Sequence, residues 1–332
     1  MNLMKRRKVL NILSQNKSLV ALVLLLAVAT VRYDGFLTIR NISNILVQSS
    51  INGIISVGMM LVIVLGGIDL SVGSVAALAA VTSAQLINSS SLLVAVLLPI
   101  FIGMTVGFIS GILIVKLDMN AFIATLSTQF FARGLTHVLS ESKNVTVDKT
   151  NEAFTFIGSG KIFGVVPVQV IIFLVVMLVM GFILTYTSYG RCIYAIGGNK
   201  EAAKMMGARV DKNTVIAYII SGGLAALAGI VLCARLGSGQ PTSGIGYETD
   251  AIAAVVMGGT LLTGGWGTMR GTFMGIITLS VINNILNLEG NLSSWWQDVI
   301  LGTLVLIIII AQSSPRRSRA IKQNKAVAQR KG

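Results

Sequence analysis

Charge is scarce in this chain of 332 residues: 11% are charged against 54% hydrophobic, and the mean hydropathy is +0.82. Such a composition excludes an ordinary soluble domain. The single histidine rules out an H-E-x-x-H metal site, and no G-x-S-x-G nucleophile elbow occurs. The two cysteines, Cys192 and Cys233, lie far apart, in or beside apolar runs, and make neither a metal pattern nor a disulfide framework. Gly158-Ser159-Gly160-Lys161 lacks the first glycine of a P-loop at the required spacing, and Ile162 stands where Ser or Thr should be. No catalytic residue, metal ligand or bound cofactor is therefore expected. Energy for any active transport has to come from another polypeptide.

The formal net charge of +14 is concentrated at the ends. Lys5, Arg6, Arg7, Lys8 and Lys17 open the chain, and Arg316, Arg317, Arg319, Lys322, Lys325, Arg330 and Lys331 close it, with no acid beside them. The positive-inside rule gives such ends to the cytoplasm, where they meet lipid rather than nucleic acid. Between them run about ten apolar segments, near 18–31, 44–66, 71–88, 92–116, 120–140, 167–186, 214–234, 250–264, 270–287 and 297–312. Several approach the ~20 residues needed to cross a bilayer as a helix. The expected class is an all-α, multi-pass membrane protein: a basic head at 1–18, a membrane domain at 19–312 and a basic tail at 313–332. An even count returns both termini to the cytoplasm and puts the loop at 187–213 there too. Its Arg191, Lys200, Lys204, Arg209 and Lys212 outnumber Glu201 and Asp211, in agreement. The loop at 141–166 then falls outside. The segment near 260 is short enough to be re-entrant. The first segment, with Ala27-Val28-Ala29, resembles a cleavable signal peptide, but a retained anchor is preferred.

Leu65-Gly66-Gly67-Ile68-Asp69-Leu70-Ser71-Val72-Gly73 is echoed by Thr263-Gly264-Gly265-Trp266-Gly267-Thr268-Met269-Arg270-Gly271. Paired glycines weaken a helix and permit close backbone approach, so these read as two helix breaks or as two tight turns. Asp69 is the ionisable residue of the first break. It is well placed to cap the helix that follows, with a gating role as the alternative; Asp250, before Ala251-Ile252-Ala253-Ala254, invites the same capping role. Arg133 and His137 stand one helical turn apart and are expected to pack near an interface. The spans are otherwise nearly free of acids, which argues against a proton- or sodium-coupled secondary carrier. Their polar side chains are neutral. Gln48, Asn52, Gln129, Asn283 and Asn284, with Asp69, are the candidates for lining a path, and Ser56, Thr125, Ser127 and Thr128 are the remaining polar positions. They suit an uncharged, hydroxyl-rich solute, because stripping a hydroxyl of water without replacement costs roughly 2–7 kcal/mol. Each serves equally well as a helix-to-helix hydrogen bond.

Three motifs bear a family resemblance: Gly66-Gly67-Ile68-Asp69-Leu70-Ser71-Val72-Gly73-Ser74; Tyr194-Ala195-Ile196-Gly197-Gly198-Asn199 followed by Glu201-Ala202-Ala203 and Gly207; and Tyr247-Glu248-Thr249-Asp250-Ala251-Ile252-Ala253-Ala254-Val255-Val256 with Gly258-Gly259-Thr260. Over about residues 36–312 the chain resembles permease subunits of ribose-type sugar importers in the bacterial ABC transporter superfamily. The resemblance implies a type II-like importer permease in the inner membrane. It implies an extracytoplasmic sugar-binding protein, a second permease copy, identical or related, and a cytoplasmic ATPase, commonly two fused nucleotide-binding halves, which uses ATP and Mg. It makes Gly198, Asn199, Glu201, Ala202, Ala203, Gly207 and Arg209 the ATPase-coupling residues, the small ones allowing close seating. Leu292-Ser293-Ser294-Trp295-Trp296 resembles permeases for furanose-form galactose, although paired Trp are commonly interfacial anchors. Nucleosides, the autoinducer-2 signal and branched-chain amino acids are the alternative cargoes of the superfamily.

Overall fold

The computed structural model describes residues 17–148 and 151–289, with short helical pieces at 295–296, 299–300, 302–303 and 306–307. The basic head at 5–8, Lys149, Leu292 to Ser294, most of the segment at 297–312 and the tail lie outside the described residues. The chain divides into two compact units, Met1–Val281 and Ile282–Gly332.

The first unit is helical. Its elements are α1 (Lys17–Arg32), α2 (Ile39–Leu65), α3 (Val72–Ser89), α4 (Leu92–Lys116), α5 (Ala121–Leu139), α6 (Glu152–Ser159), α7 (Val168–Tyr186), α8 (Ser188–Gly198), α9 (Lys200–Met205), α10 (Val210–Leu236), α11 (Tyr247–Met257) and the start of α12 (Met269–Glu289). Four two-residue strands make two antiparallel pairs: β1 (Val145–Thr146) with β4 (Ser238–Gly239), and β2 (Lys161–Ile162) with β3 (Val166–Pro167). Among the described residues six helices, α2, α3, α4, α7, α10 and α12, are long and apolar enough to cross a membrane. In the second unit α12 is described as far as Glu289, with Asn284 buried and Asn283 half-buried, and Trp295 and Trp296 are exposed.

Helix α10 forms the axis of the first unit. In a bilayer, apolar side chains gain nothing by leaving lipid for one another, so helices associate where small residues let backbones meet. Along α4 the small residues recur as Gly103, Gly107 and Gly111, and a Cβ at these positions would strike Gly222, Tyr218 and Val215 of α10 in turn. The order reverses, so the two helices run antiparallel. A Cβ at Gly229 would likewise strike the carbonyl of Ala76 on α3, and one at Gly58 on α2 would come within 3.1 Å of Ser221. Helices α4 and α7 are apolar on all sides and bury little of themselves within the chain, as lipid- or partner-facing helices do.

The segment expected to cross near 250–264 departs from that expectation. Its helix, α11, has 11 residues, about 16 Å of rise against a hydrocarbon core of about 30 Å. The approach to it is a run of turns. A Cβ at Gly239 would meet Ala80 and Val81 of α3, and one at Gly244 would meet Gly73 seven residues nearer the start of the same helix. Residues 237–246 therefore run alongside α3 toward its N-terminus before α11 begins. The loop after α5 is also more ordered than a plain surface loop. It holds β1, the helix α6 and the β2–β3 hairpin, and Asn88 of α3 clamps it by donating to the Thr146 carbonyl at 2.8 Å and accepting from the Asp148 amide at 2.9 Å.

Candidate functional site

The first break follows α2 directly. Gly66 ends that helix in the left-handed region at φ 94°, its amide returning to the Ile63 carbonyl at 2.9 Å. Asp69 is wholly enclosed, at 0% exposure. One carboxylate oxygen accepts from the Ser71 amide at 3.0 Å and the Ser71 hydroxyl at 2.6 Å; the other accepts from the Ser221 hydroxyl on α10 at 2.7 Å. The carboxylate thus organises the turn into α3, and also ties it to α10, which capping alone does not supply. Ser221 stands roughly 16 Å from the start of α10, a helix of roughly 40 Å. The non-helical backbone here is at depth, and its exposed groups are satisfied by protein. The Ile68 carbonyl accepts from the Thr125 hydroxyl at 3.3 Å and the Tyr218 hydroxyl at 3.4 Å.

A second non-helical stretch meets the first. Arg133 of α5 donates from one guanidinium nitrogen to the carbonyls of Pro241 and Ser243, both at 2.7 Å. It straps down backbone that no ladder or helix pairs. His137 turns instead to its neighbour Ser142, at 3.2 Å, so Arg133 and His137 do not converge. The strap holds the tip of α11, where Glu248 and Asp250 occupy the first turn. Asn52 of α2 donates to Asp250 at 3.3 Å, and Gln129 of α5 donates to Glu248 at 3.5 Å. Glu248 also lies against Gly73, since a Cβ there would come within 2.5 Å of its Oε2. The N-termini of α3 and α11 therefore approach each other, and acids on each chain segment offset the partial positive charge of both helix ends. Replacing Arg133 by alanine strands two carbonyls and is expected to lower stability by about 3 kcal/mol. Arg133→Lys should recover part of the loss, since one ammonium has donors for both carbonyls; thermal unfolding in detergent measures the order.

The motif at 194–207 builds a compact exposed turn. Asn199 heads α9, its side-chain oxygen accepting from the Ala202 amide at 2.9 Å. Gly207, at φ 83°, stops the helix, and the Ala208 amide returns to Ala203 at 3.0 Å. Glu201, Lys204, Gly207 and Arg209 are exposed. Ala203 is buried in a cluster with Ile196 and Val210, and Ala202 is half-buried. Ala203 therefore seats α9 on its own chain, and Gly207 turns the backbone at the exposed end of α9. Met205 and Met206 supply the large apolar surface, at 88% and 75% exposure.

Just before this turn, three pieces of backbone meet. A Cβ at Gly197 would collide with the Val64 carbonyl, and one at Gly264 would come within 3.0 Å of both Gly66 and Gly197. The Gly265 amide donates to the Val64 carbonyl at 2.8 Å, and the Tyr194 hydroxyl to the Gly267 carbonyl at 2.9 Å. Burial pushes the Tyr194 phenol up, keeping it a neutral donor. The two glycine pairs read from the sequence as echoes are thus in contact, with the exposed turn's own glycine between them.

Of the path candidates, Asn52 and Gln129 are brought to the tip of α11; Asp69 is enclosed at the first break; Gln48 is half-buried on α2; Asn283 and Asn284 belong to the second unit. Thr128 pairs with Ser110 at 2.8 Å, while Ser56, Ser127 and Thr125 bond back to their own helices. Glu248 is the residue that sequence reasoning passed over. The signal was the two acids Glu248 and Asp250 at the head of an apolar run, behind a Gly- and Ser-rich stretch at 237–246.

Helices long and apolar enough for a bilayer, two helix interruptions in contact and an exposed charged turn are features that suit a transport permease. The family model described as branched-chain amino acid transport system / permease component matches residues 41–309, and the chain belongs to this family. It is 41% identical over 305 residues to the ribose import permease protein of Haemophilus influenzae, across 91% of this chain and 94% of that one. It is 42% identical over 304 residues to the ribose import permease protein of Escherichia coli K12, with 91% and 94% covered. The L-arabinose transport system permease protein of Escherichia coli K12 is 36% identical over 293 residues, 88% of each chain. No solved structure matches it. The chain is a multi-pass membrane permease component of an ABC importer and not itself a catalyst; such a permease works with an ATPase and a substrate-binding protein.

Proposed function

We propose that this chain passes a neutral monosaccharide, a ribose-like pentose or a hexose, from an extracytoplasmic binding protein to the cytoplasm. Identity of 41–42% to ribose import permeases over 91% of the chain carries the reading. The neutral amides at depth and the lack of an internal nucleotide site agree with it. In this account both termini and the turn at 199–207 face the cytoplasm, because the basic residues gather there. About ten membrane segments, a second permease copy, identical or related, and an ATPase of two fused nucleotide-binding halves complete the assembly.

Coupling follows from the turn's connections. Exposed Glu201, Lys204, Met205 and Met206 meet the ATPase. A displacement of α9 reaches Gly197, which touches Val64 at the end of α2 and the turn at 264–265. Both helix breaks then move together, and the path opens to one side at a time.

Reconstitution in proteoliposomes tests the reading, with the ATPase inside and the binding protein outside. Labelled ribose, arabinose and fructose should accumulate only with both partners and ATP. Uptake of leucine in place of every sugar would transfer the assignment to the amino acid named in the family's description, and accumulation driven by an ion gradient alone would make the chain a secondary carrier.

A further inference from the structure

We propose that Glu248 and Asp250, at the tip of α11, form a transit site that accepts hydrogen bonds from the hydroxyls of a neutral polyhydroxylated solute. The proposal rests on the importer reading above and names the side chains that touch the cargo. Four observations converge. First, the tip gathers polar side chains from three elements: Asn52 from α2, Gln129 from α5 and the two acids of α11. Second, Glu248 Oε2 is buried with no hydrogen-bond partner in the chain. A buried carboxylate oxygen without a donor is costly, so this site is short of the one thing a hydroxyl supplies.

Third, the amide contacts made to the acids are long, 3.3 Å from Asn52 and 3.5 Å from Gln129, beyond the usual N–H···O range. A hydroxyl forming a shorter bond displaces them readily, and they return when it leaves. Loose occupancy of this kind is what passage requires. Fourth, the tip reaches the surface of the chain. Thr242, Ile245 and Thr249 are exposed on a stretch whose non-helical backbone and acids do not suit lipid, so this face lines a wet space or meets protein.

The chemistry selects the class. Ionised carboxylates only accept, so a solute with several neutral hydroxyl donors fits, whereas an anion is repelled. Arg133 keeps its positive charge near Glu248 and offsets part of that repulsion, but its NH1 donors are engaged with the carbonyls of Pro241 and Ser243 and the two acids outnumber it. The competing account is that the acids merely balance the two helix ends.

The two accounts separate in the complete reconstituted importer, using ribose and its monodeoxy analogues as probes. Glu248→Gln keeps the size of the side chain but puts a donor where an acceptor stood. Ribose uptake by this variant should fall about tenfold or more, while binding-protein-stimulated ATP hydrolysis persists. For at least one monodeoxy analogue the gap between parent and variant should close to about twofold, because the lost partner is already missing. Asp250→Asn, read the same way, covers the case in which Glu248→Gln does not assemble. Equal losses across all analogues, or no loss, overturn the proposal and leave the acids a structural role. A parent complex that imports no monosaccharide overturns the sugar reading, and this inference with it.

Discussion

Asp69→Ala should destabilise the folded chain by about 3 kcal/mol or more, the largest loss expected from a single side chain in the first break. The substitution deletes three hydrogen bonds and leaves the Ser71 amide and the Ser71 and Ser221 hydroxyls without their acceptor. Asp69→Asn retains an acceptor for Ser71 and offers Ser221 a donor, and should cost about 1 kcal/mol. Ser221→Ala should fall between, because it removes only the tie to α10. Unfolding midpoints in one detergent rank the three. The rank decides between a carboxylate that only starts α3, for which Ser221→Ala would be neutral, and one that fastens α3 to α10. An unchanged midpoint for Asp69→Ala would contradict both.

Uptake should fall at least about tenfold when Met205 and Met206 are both changed to Asp, with insertion and folding unaffected. Each side chain is exposed and touches little of its own chain, so the substitution has almost no folding cost, while any partner seated there loses an apolar anchor and meets new charge. Glu201→Ala should weaken coupling in the same direction. Gly207→Val acts differently. A β-branched residue at φ 83° costs about 1–2 kcal/mol, unwinding the end of α9 instead of altering its surface. Co-purification of the ATPase with the tagged permease separates lost docking from lost transmission. Normal transport by the double Asp variant would remove the exposed turn from the coupling scheme.

Much of the membrane character was legible in the sequence because spanning a bilayer demands long apolar runs. The boundaries near 17, 65, 92, 116, 168 and 186 could be read where such runs begin or end. The motif at 194–207 was legible for a similar reason: Asn199 and Gly207 are residue types with one strong local use each, starting and stopping a helix. Two other features were hidden. The stretch at 237–246 has the composition of an exposed loop, and only its packing along α3, with Arg133 supplying donors, carries it into the interior. That path takes Glu248 and Asp250 with it, which is why the core looked nearly empty of acids beforehand. Ala203 misled for the opposite reason. A small residue in an exposed turn suits a partner's surface and its own chain's core equally well, and the cluster with Ile196 and Val210 decides for the core.

Gly197, Gly66 and Gly264 meet main chain to main chain, with no side chain interposed. Side chains act as springs, since they hop between rotamers and absorb small displacements; peptide planes do not. The linkage between the exposed turn and the two interruptions consequently has almost no mechanical compliance. A sub-ångström push at one end is expected to arrive at the other nearly undiminished, and a single methyl group added at Gly197 or Gly264 should jam the linkage in one posture.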